Sequence, residues 1–170
     1  MIIRDEKVSD VMAISEVTKA AFAHHPYSHQ TEHFIVDALR AADALVISLV
    51  AEIDGKVVGH IAFSAATISS GDEAWYALGP ISVLPEHQRQ GIGKALIEMG
   101  LSRLKALGAR GCVLVGDPLY YQQFGFRNIP DLIYEGIPQE YVLALPFAGD
   151  HSRGLVGFHR GFSAGGEAKG

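Results

Sequence analysis

The chain has few cysteines, few basic residues and no long apolar segment, and each shortage excludes a class of protein. Its 170 residues include one cysteine, Cys112, so no internal disulfide framework can form. Lys and Arg number 14 against 19 Asp and Glu, and they are scattered, so we expect no nucleic-acid partner. No uninterrupted apolar run reaches the ~18 residues that a membrane-spanning helix needs, so we expect no membrane partner.

The first residues do not have the pattern of a signal peptide, because Arg4 and Asp5 interrupt the apolar residues at once. We therefore expect a cytoplasmic protein. A hydrophobic fraction of 48% in a chain of this length is typical of one globular domain with a sizeable core. We expect a single domain over residues 1–162, followed by a flexible tail over residues 163–170.

Residues 88–93, Gln-Arg-Gln-Gly-Ile-Gly, are the most informative segment of the chain. They follow a strand predicted over residues 75–83 and open a helix predicted over residues 91–107. The first backbone N–H groups of a helix have no intrahelical acceptor, and the helix dipole adds positive potential there. Gly91 and Gly93 let the backbone come close to an anion because they carry no Cβ. This arrangement predicts a pyrophosphate site.

Two familiar phosphate-binding motifs are absent from this segment. A Walker A loop has Gly five residues before its Gly-Lys pair and Ser or Thr after it, whereas this chain has Gln88 and Ala95 at those places. The dinucleotide fingerprint requires a third Gly, but Leu96 stands there. A different class of pyrophosphate ligand is therefore indicated.

The pattern that fits is [Gln/Arg]-x-x-Gly-x-[Gly/Ala], which Gln88, Gly91 and Gly93 satisfy. Further along, residues 121–126 read Tyr-Gln-Gln-Phe-Gly-Phe and match the segment Y-x-x-x-G-F. With both segments at this distance, the chain resembles the GNAT superfamily of acetyl-CoA-dependent N-acetyltransferases over roughly residues 1–130.

The resemblance implies an α+β fold. We expect a single GNAT-like domain with a mixed, mainly antiparallel central sheet that is flanked by helices and splayed at the cofactor strand. Local signals add a hairpin at Asp54-Gly55, a short helix from Pro118 and a last strand over residues 154–162.

The resemblance also implies that acetyl-CoA is the acyl donor. In such a site, backbone groups of the strand ending at Val83 pair with the pantetheine arm and stabilise the oxyanion, and residues 88–94 surround the pyrophosphate. Asp117 stands where many family members have an Asn that bonds the arm, but Asp before Pro equally suits a helix N-cap. The expected cofactor-binding residues are Ile81, Ser82, Val83, Gln88, Arg89, Gln90, Gly91, Ile92, Gly93, Lys94 and Asp117.

Tyr121 is the expected catalytic residue, because in the family the Tyr of Y-x-x-x-G-F protonates the leaving thiolate. A tyrosine with an ordinary pKa of ~10 keeps its proton at neutral pH and can act as a general acid. The alternative is an aromatic ring that only lines the cofactor tunnel. The base that deprotonates the amine is unassigned, with candidates at Glu32, Glu73, His24, His25, His29 and His33.

The histidines also raise the question of a metal site. His29 and His33 are four residues apart, but they share a helix face only if that helix begins before Thr31. No cysteine and no obvious triad of acidic residues completes a ligand set, so we expect no metal.

These features predict an N-acetyltransferase that moves the acetyl group of acetyl-CoA to a primary amine by direct attack in a ternary complex. The acceptor is an amine of a small molecule or of a protein, and a homodimer stays open as the assembly. A non-catalytic acyl-CoA-binding or regulatory module of the same fold is the alternative.

Overall fold

The computed structural model describes residues 1–26, 28–147 and 152–165. Its helices are α1 (Val11–Phe22), α2 (Glu32–Ala41), α3 (Ile92–Ala106) and α4 (Pro118–Tyr121). Its strands are β1 (Ile2–Asp5), β2 (Ile47–Ile53), β3 (Lys56–Ile68), β4 (Trp75–Val83), β5 (Gly111–Val115), β6 (Arg127–Asn128), β7 (Leu132–Ile133), β8 (Val142–Pro146) and β9 (Gly154–Gly157). None of the helices in these ranges has the length and apolar character needed to cross a membrane.

The described chain divides into two compact units. The first contains Met1–Phe63, Gly79–Gly100 and the described residues from Arg160 onward. Within it β1 pairs antiparallel with β2, and β2 pairs antiparallel with β3. Asp54 and Gly55 join β2 to β3 with φ angles of 51° and 79°, the left-handed values of a type I′ turn. The predicted hairpin is therefore confirmed.

The second unit contains Ser64–Leu78 and Leu101–His159. Here β4 runs parallel to β5, which pairs antiparallel with β8, and β8 pairs antiparallel with β6. Strand β9 pairs antiparallel with β3 and parallel with β7. The pairing between β4 and β5 ends at Ala77 and Val113, although β5 continues to Val115 beside β8.

The strand pairs are mainly antiparallel, with parallel pairs at β4–β5 and β7–β9, and helices flank the sheet. This is the predicted α+β class, which is confirmed. The predicted last strand is too long, since β9 ends at Gly157 and Arg160–Ser163 form a 3-10 turn. Gly157 and Gly161 on either side of this break weaken extended structure because they offer no side chain to pack. Residues 166–170 of the predicted tail lie outside the described residues.

Helix α3 lies close to β3 in the first unit because glycine occupies the contact. A Cβ added at Gly100 would overlap the aromatic ring of Phe63, which is fully buried. At Gly59 a Cβ would lie 3.2 Å from Ile92 Cγ2 and 3.2 Å from Leu96 Cδ1. These two glycines fix where α3 begins, and therefore where the loop before it lies.

We predict that Gly100→Ala lowers the free energy of unfolding by about 2 kcal/mol, because overfilling a packed core forces neighbouring side chains from their rotamers. Denaturant unfolding of the variant measures this loss. Met99→Ala, a change at a partly exposed position of the same helix, is the control. Equal stability of the Gly100→Ala variant and the wild type would contradict the prediction.

Candidate active site

The loop between β4 and α3 has an unusual backbone. After Val83 the chain forms a 3-10 turn at Pro85–His87, and then Arg89 and Gly91 adopt left-handed φ angles of 64° and 85°. Left-handed residues that alternate with ordinary ones turn successive backbone N–H groups toward one side, which forms a concavity suited to anions. The predicted phosphate loop therefore has the shape of an anion cradle.

The start of α3 adds more donors to this cradle. The helix begins at Ile92, and Ala95 donates the backbone hydrogen bond to Gly91 O at 3.0 Å. The N–H groups before Ala95 belong to the first turn, where a helix provides no acceptor of its own. Ile92 is buried and holds this turn in place, whereas Gly91 and Lys94 are exposed.

Arg89 is the residue whose conformation the sequence did not predict. A non-glycine residue in the left-handed region costs ~1–3 kcal/mol, and arginine has no side-chain device that reduces this cost. The sequence predicts Arg89 as a cofactor-binding residue of the loop but does not predict its backbone conformation. Its side chain is exposed, so the residue combines a strained backbone with a guanidinium that is free to approach an anionic ligand.

The end of β4 is anchored by a buried hydrogen bond. The hydroxyl of Thr18 on α1 donates its one hydrogen to Ile14 O at 2.7 Å. In the contact of 3.3 Å between the Thr18 and Ser82 hydroxyls, Ser82 is therefore the donor. Both side chains are buried, whereas Ile81 and Val83 on either side of Ser82 are partly exposed. Ser82 therefore directs its side chain into the protein, and its side-chain hydroxyl is occupied by Thr18.

Asp117 caps helix α4. Its carboxylate Oδ1 accepts a hydrogen bond from the Leu119 N–H at 2.9 Å, and Pro118 follows at the first helical position. This is the N-cap that the sequence offered as one of two alternatives, and the geometry supports it. The cap fixes the single turn that carries Tyr121.

Tyr121 lies in the second unit, where its partly exposed ring lies beside other aromatic rings. Its ring centroid lies 5.0 Å from that of Tyr120 and 5.9 Å from that of Phe126, both in edge-on geometry. Burial, with smaller contributions from Tyr120, Cys112 and Asp117, raises the pKa of Tyr121 well above its ordinary value. The hydroxyl is therefore protonated at neutral pH.

Gly116 leaves room for this ring, because a Cβ there would lie 2.7 Å from Tyr121 Cε2. Because Tyr121 is the predicted general acid, we predict that Gly116→Ala displaces it and lowers kcat about ten-fold, since misplacing a reacting group by ~1 Å can cost up to a hundred-fold. Steady-state kinetics measure the loss. Leu119→Ala, an exposed change on the same turn, is the control, and an unchanged kcat in Gly116→Ala would contradict the prediction.

The candidate bases lie in different surroundings. Both Glu32 carboxylate oxygens lie within 2.8 Å of the Ser28 hydroxyl, and burial, followed by the charge of Lys19, lowers the pKa of His33. The others are exposed: His24, His25, His29 and Glu73. Helix α2 begins at Glu32, after Thr31, so His29 and His33 do not share a helix face.

A second polar cluster in the first unit could be mistaken for a catalytic site. Ser48 Oγ lies 2.8 Å from His60 Nε2 and donates to Glu6, which also pairs with Arg40. Burial lowers the pKa of His60 to about 4, and its Nδ1 atom has no partner in the described part of the chain. A histidine that binds a proton so weakly and lacks an orienting acid is a poor base for a serine nucleophile.

The cavity beside this cluster has a volume of about 270 Å³ and shares no lining residue with the predicted cofactor site. Its lining residues are Asp5, Glu6, Arg40, Asp43, Leu45 and Ser48. Cys112, the only thiol, is fully buried, and burial raises its pKa, so it is not a nucleophile.

The sequence matches the profile of the Acetyltransferase (GNAT) family over residues 12–126. Because this match covers more than half of the chain, the protein belongs to the GNAT acetyltransferase family. The range contains both the phosphate-loop pattern and Tyr121.

Two solved structures and one further relative agree with the family assignment. A GNAT family acetyltransferase from Brucella melitensis, solved in complex with acetyl-CoA, is 49% identical, with a TM-score of 0.85 over 95% of this chain and 97% of that one. The N-acetyltransferase YhbS from Escherichia coli, solved in complex with CoA, is 28% identical, with a TM-score of 0.87 over 95% of this chain and 91% of that one. The uncharacterized N-acetyltransferase YjhQ from Escherichia coli is 33% identical over 135 residues, which are 78% of this chain and 72% of that one.

Proposed function

We propose that this protein is an N-acetyltransferase that takes an acetyl group from acetyl-CoA and passes it to a primary amine in a ternary complex. The observation that carries the proposal is the paired left-handed backbone of Arg89 and Gly91 at the mouth of α3, in a chain of the GNAT family. The acetyl-CoA complex of the relative that is 49% identical supports the choice of donor.

The backbone N–H groups of residues 89–94 bind the pyrophosphate, and Arg89 and Lys94 add charge. This assignment suits the chain, because among the described residues no atom beyond Gly91 and its two neighbours lies within 4 Å of the place where a Cβ would stand, so the approach to the cradle is open. Backbone groups of Ile81, Ser82 and Val83 pair with the pantetheine arm. Asp117, already engaged as a helix cap, is a secondary candidate for contact with the arm.

When bound, acetyl-CoA supplies a thioester whose carbonyl carbon an amine can attack. The N–H near Val83 stabilises the negative charge that develops on the carbonyl oxygen, a type of contact worth ~3 kcal/mol in the transition state. The C–N bond forms as the C–S bond breaks, and Tyr121 Oη donates its proton to the sulfur. The proton that leaves the amine passes, directly or through water, to one of the six candidate bases.

A binding and turnover experiment tests this proposal. Calorimetry should show binding of acetyl-CoA and of CoA, and weak or no binding of acetyl-pantetheine, which lacks the diphosphate. Thiol release should then be measured with peptides, polyamines, amino acids and aminoglycosides as acceptors. The absence of heat with either CoA compound overturns the proposal, and tight binding without turnover across the panel favours the non-catalytic module.

A further inference from the structure

Gln88, the first residue of the phosphate-loop pattern, does not direct its side-chain donor toward the cradle. Its amide Nε2 donates to the carbonyl oxygen of Val83 at 3.0 Å. Val83 is the last residue of β4. A side chain of the loop is therefore hydrogen-bonded to the end of the strand that precedes it.

With this contact, both polar groups of the Val83–Leu84 peptide are hydrogen-bonded. The carbonyl of the Val83–Leu84 peptide accepts from Gln88, and its N–H, on Leu84, donates to Val58 O at 2.9 Å. The Leu84 side chain packs against the hydrophobic core that contains Ile14 and Val17. With both polar groups bonded and the side chain packed, the peptide plane has a single orientation, which sets the direction in which the chain enters the loop.

The neighbouring glutamine makes no comparable contact. Gln90 Nε2 lies 3.5 Å from Glu86 O, at the limit of a hydrogen bond, whereas the Gln88 contact has the ordinary N–H···O length. The interaction of Gln88 is therefore a feature of its position and not of glutamines in this loop generally.

The chemistry of this contact accounts for the residue types that the pattern allows. The first position of [Gln/Arg]-x-x-Gly-x-[Gly/Ala] admits two side chains that share a long flexible stem and N–H donors. They differ in charge, so an ion pair with phosphate is not what they have in common. A donor that reaches a carbonyl is common to both, and the Val83 carbonyl is such an acceptor.

We propose that Gln88 is a positioning residue that fixes the spacing between the end of β4 and the phosphate cradle. The inference rests on the proposed function, in which β4 holds the pantetheine arm and the cradle holds the diphosphate of the same molecule. Two subsites joined by one ligand reinforce each other only when their spacing matches that ligand. Gln88 therefore contributes to affinity for intact CoA while contributing little to either half alone.

The test compares Gln88→Met, which keeps the size of the side chain and removes the donor, with Gln88→Arg, which restores a donor. Gln30→Met is the matched control, because Gln30 is also exposed and its Nε2 also donates to a backbone carbonyl, that of Ala23 at 2.7 Å, outside the predicted cofactor-binding residues. We expect Gln88→Met to raise the Kd and KM for acetyl-CoA about five-fold, the equivalent of about 1 kcal/mol for one lost hydrogen bond. Its kcat should change less than two-fold, and Gln88→Arg should return to within two-fold of the wild-type Kd.

A further readout separates spacing from direct phosphate contact. The inhibition constant of ADP, a diphosphate without the arm, should be the same in Gln88→Met and the wild type. A five-fold rise in the inhibition constant of ADP in Gln88→Met would show that Gln88 contacts the diphosphate directly and would overturn the inference. An unchanged Kd for acetyl-CoA in Gln88→Met, or a Gln88→Arg variant as weak as Gln88→Met, would overturn it too. If wild-type protein does not bind acetyl-CoA, the proposed function itself fails.

Discussion

Gly91→Glu should weaken binding of acetyl-CoA at least about 100-fold. The added carboxylate would stand at the mouth of the cradle, where nothing now lies within 4 Å, and would repel the diphosphate. Two like charges ~4 Å apart at an effective dielectric of 20 interact by about 4 kcal/mol, and 1.4 kcal/mol corresponds to a factor of ten in affinity. Isothermal calorimetry with acetyl-CoA measures the loss.

Gly55→Glu is the matched control for this variant. Gly55 also has a left-handed φ angle, 79° against 85° at Gly91, and it too has open space where a Cβ would stand. Both variants therefore carry the same backbone strain and the same added charge, but Gly55 lies in the hairpin between β2 and β3. We expect Gly55→Glu to bind acetyl-CoA as the wild type does. A folded Gly91→Glu variant with wild-type affinity would refute the assignment of the cradle.

Tyr121→Phe should lower kcat about 100-fold while the Kd for acetyl-CoA stays within about two-fold. The change removes the proton donor and keeps the ring that packs against Tyr120 and Phe126, and general acids contribute factors of 10²–10⁴. Burial raises the pKa of Tyr121, so its hydroxyl stays protonated across the neutral range. The proton is lost only at a pH above the ordinary pKa of tyrosine. Its titration should therefore not limit kcat between pH 6 and about 9.

Tyr120→Phe is the control, because Tyr120 is adjacent and of the same type but 40% exposed. We expect it to keep most of the wild-type kcat. Equal turnover by Tyr121→Phe and wild type, with both variants folded, would remove Tyr121 from the mechanism and leave it as a wall of the cofactor tunnel.

Much of this fold follows from local sequence signals. The apolar run over residues 75–83 predicted β4 with its observed ends. Gly108, which directly follows the helix predicted over residues 91–107, has a left-handed φ of 81°, as is common just after a helix ends. Asp54-Gly55 predicted its turn because few residue pairs adopt that conformation. These signals succeed because the residues concerned have narrow conformational preferences of their own.

The candidate site was harder to predict, since it depends on contacts between distant residues. Nothing in local preference places Arg89 in the left-handed region, and its conformation follows from the fixed positions of Val83 before it and Ile92 after it. The contact from Gln88 to a strand carbonyl has no sequence pattern of its own. The need for glycine at position 116 follows from the position of the Tyr121 ring, which only the structure shows.

The strained backbone at Arg89 has a consequence for the proposed binding of the diphosphate. The amides around it are arranged when the chain folds, so the conformational entropy of ordering them is lost before any ligand arrives. When a diphosphate binds to this preorganised loop, the main loss of entropy is that of the diphosphate itself. The entropy of ordering the loop therefore lowers the free energy of unfolding and does not lower the affinity for the anion.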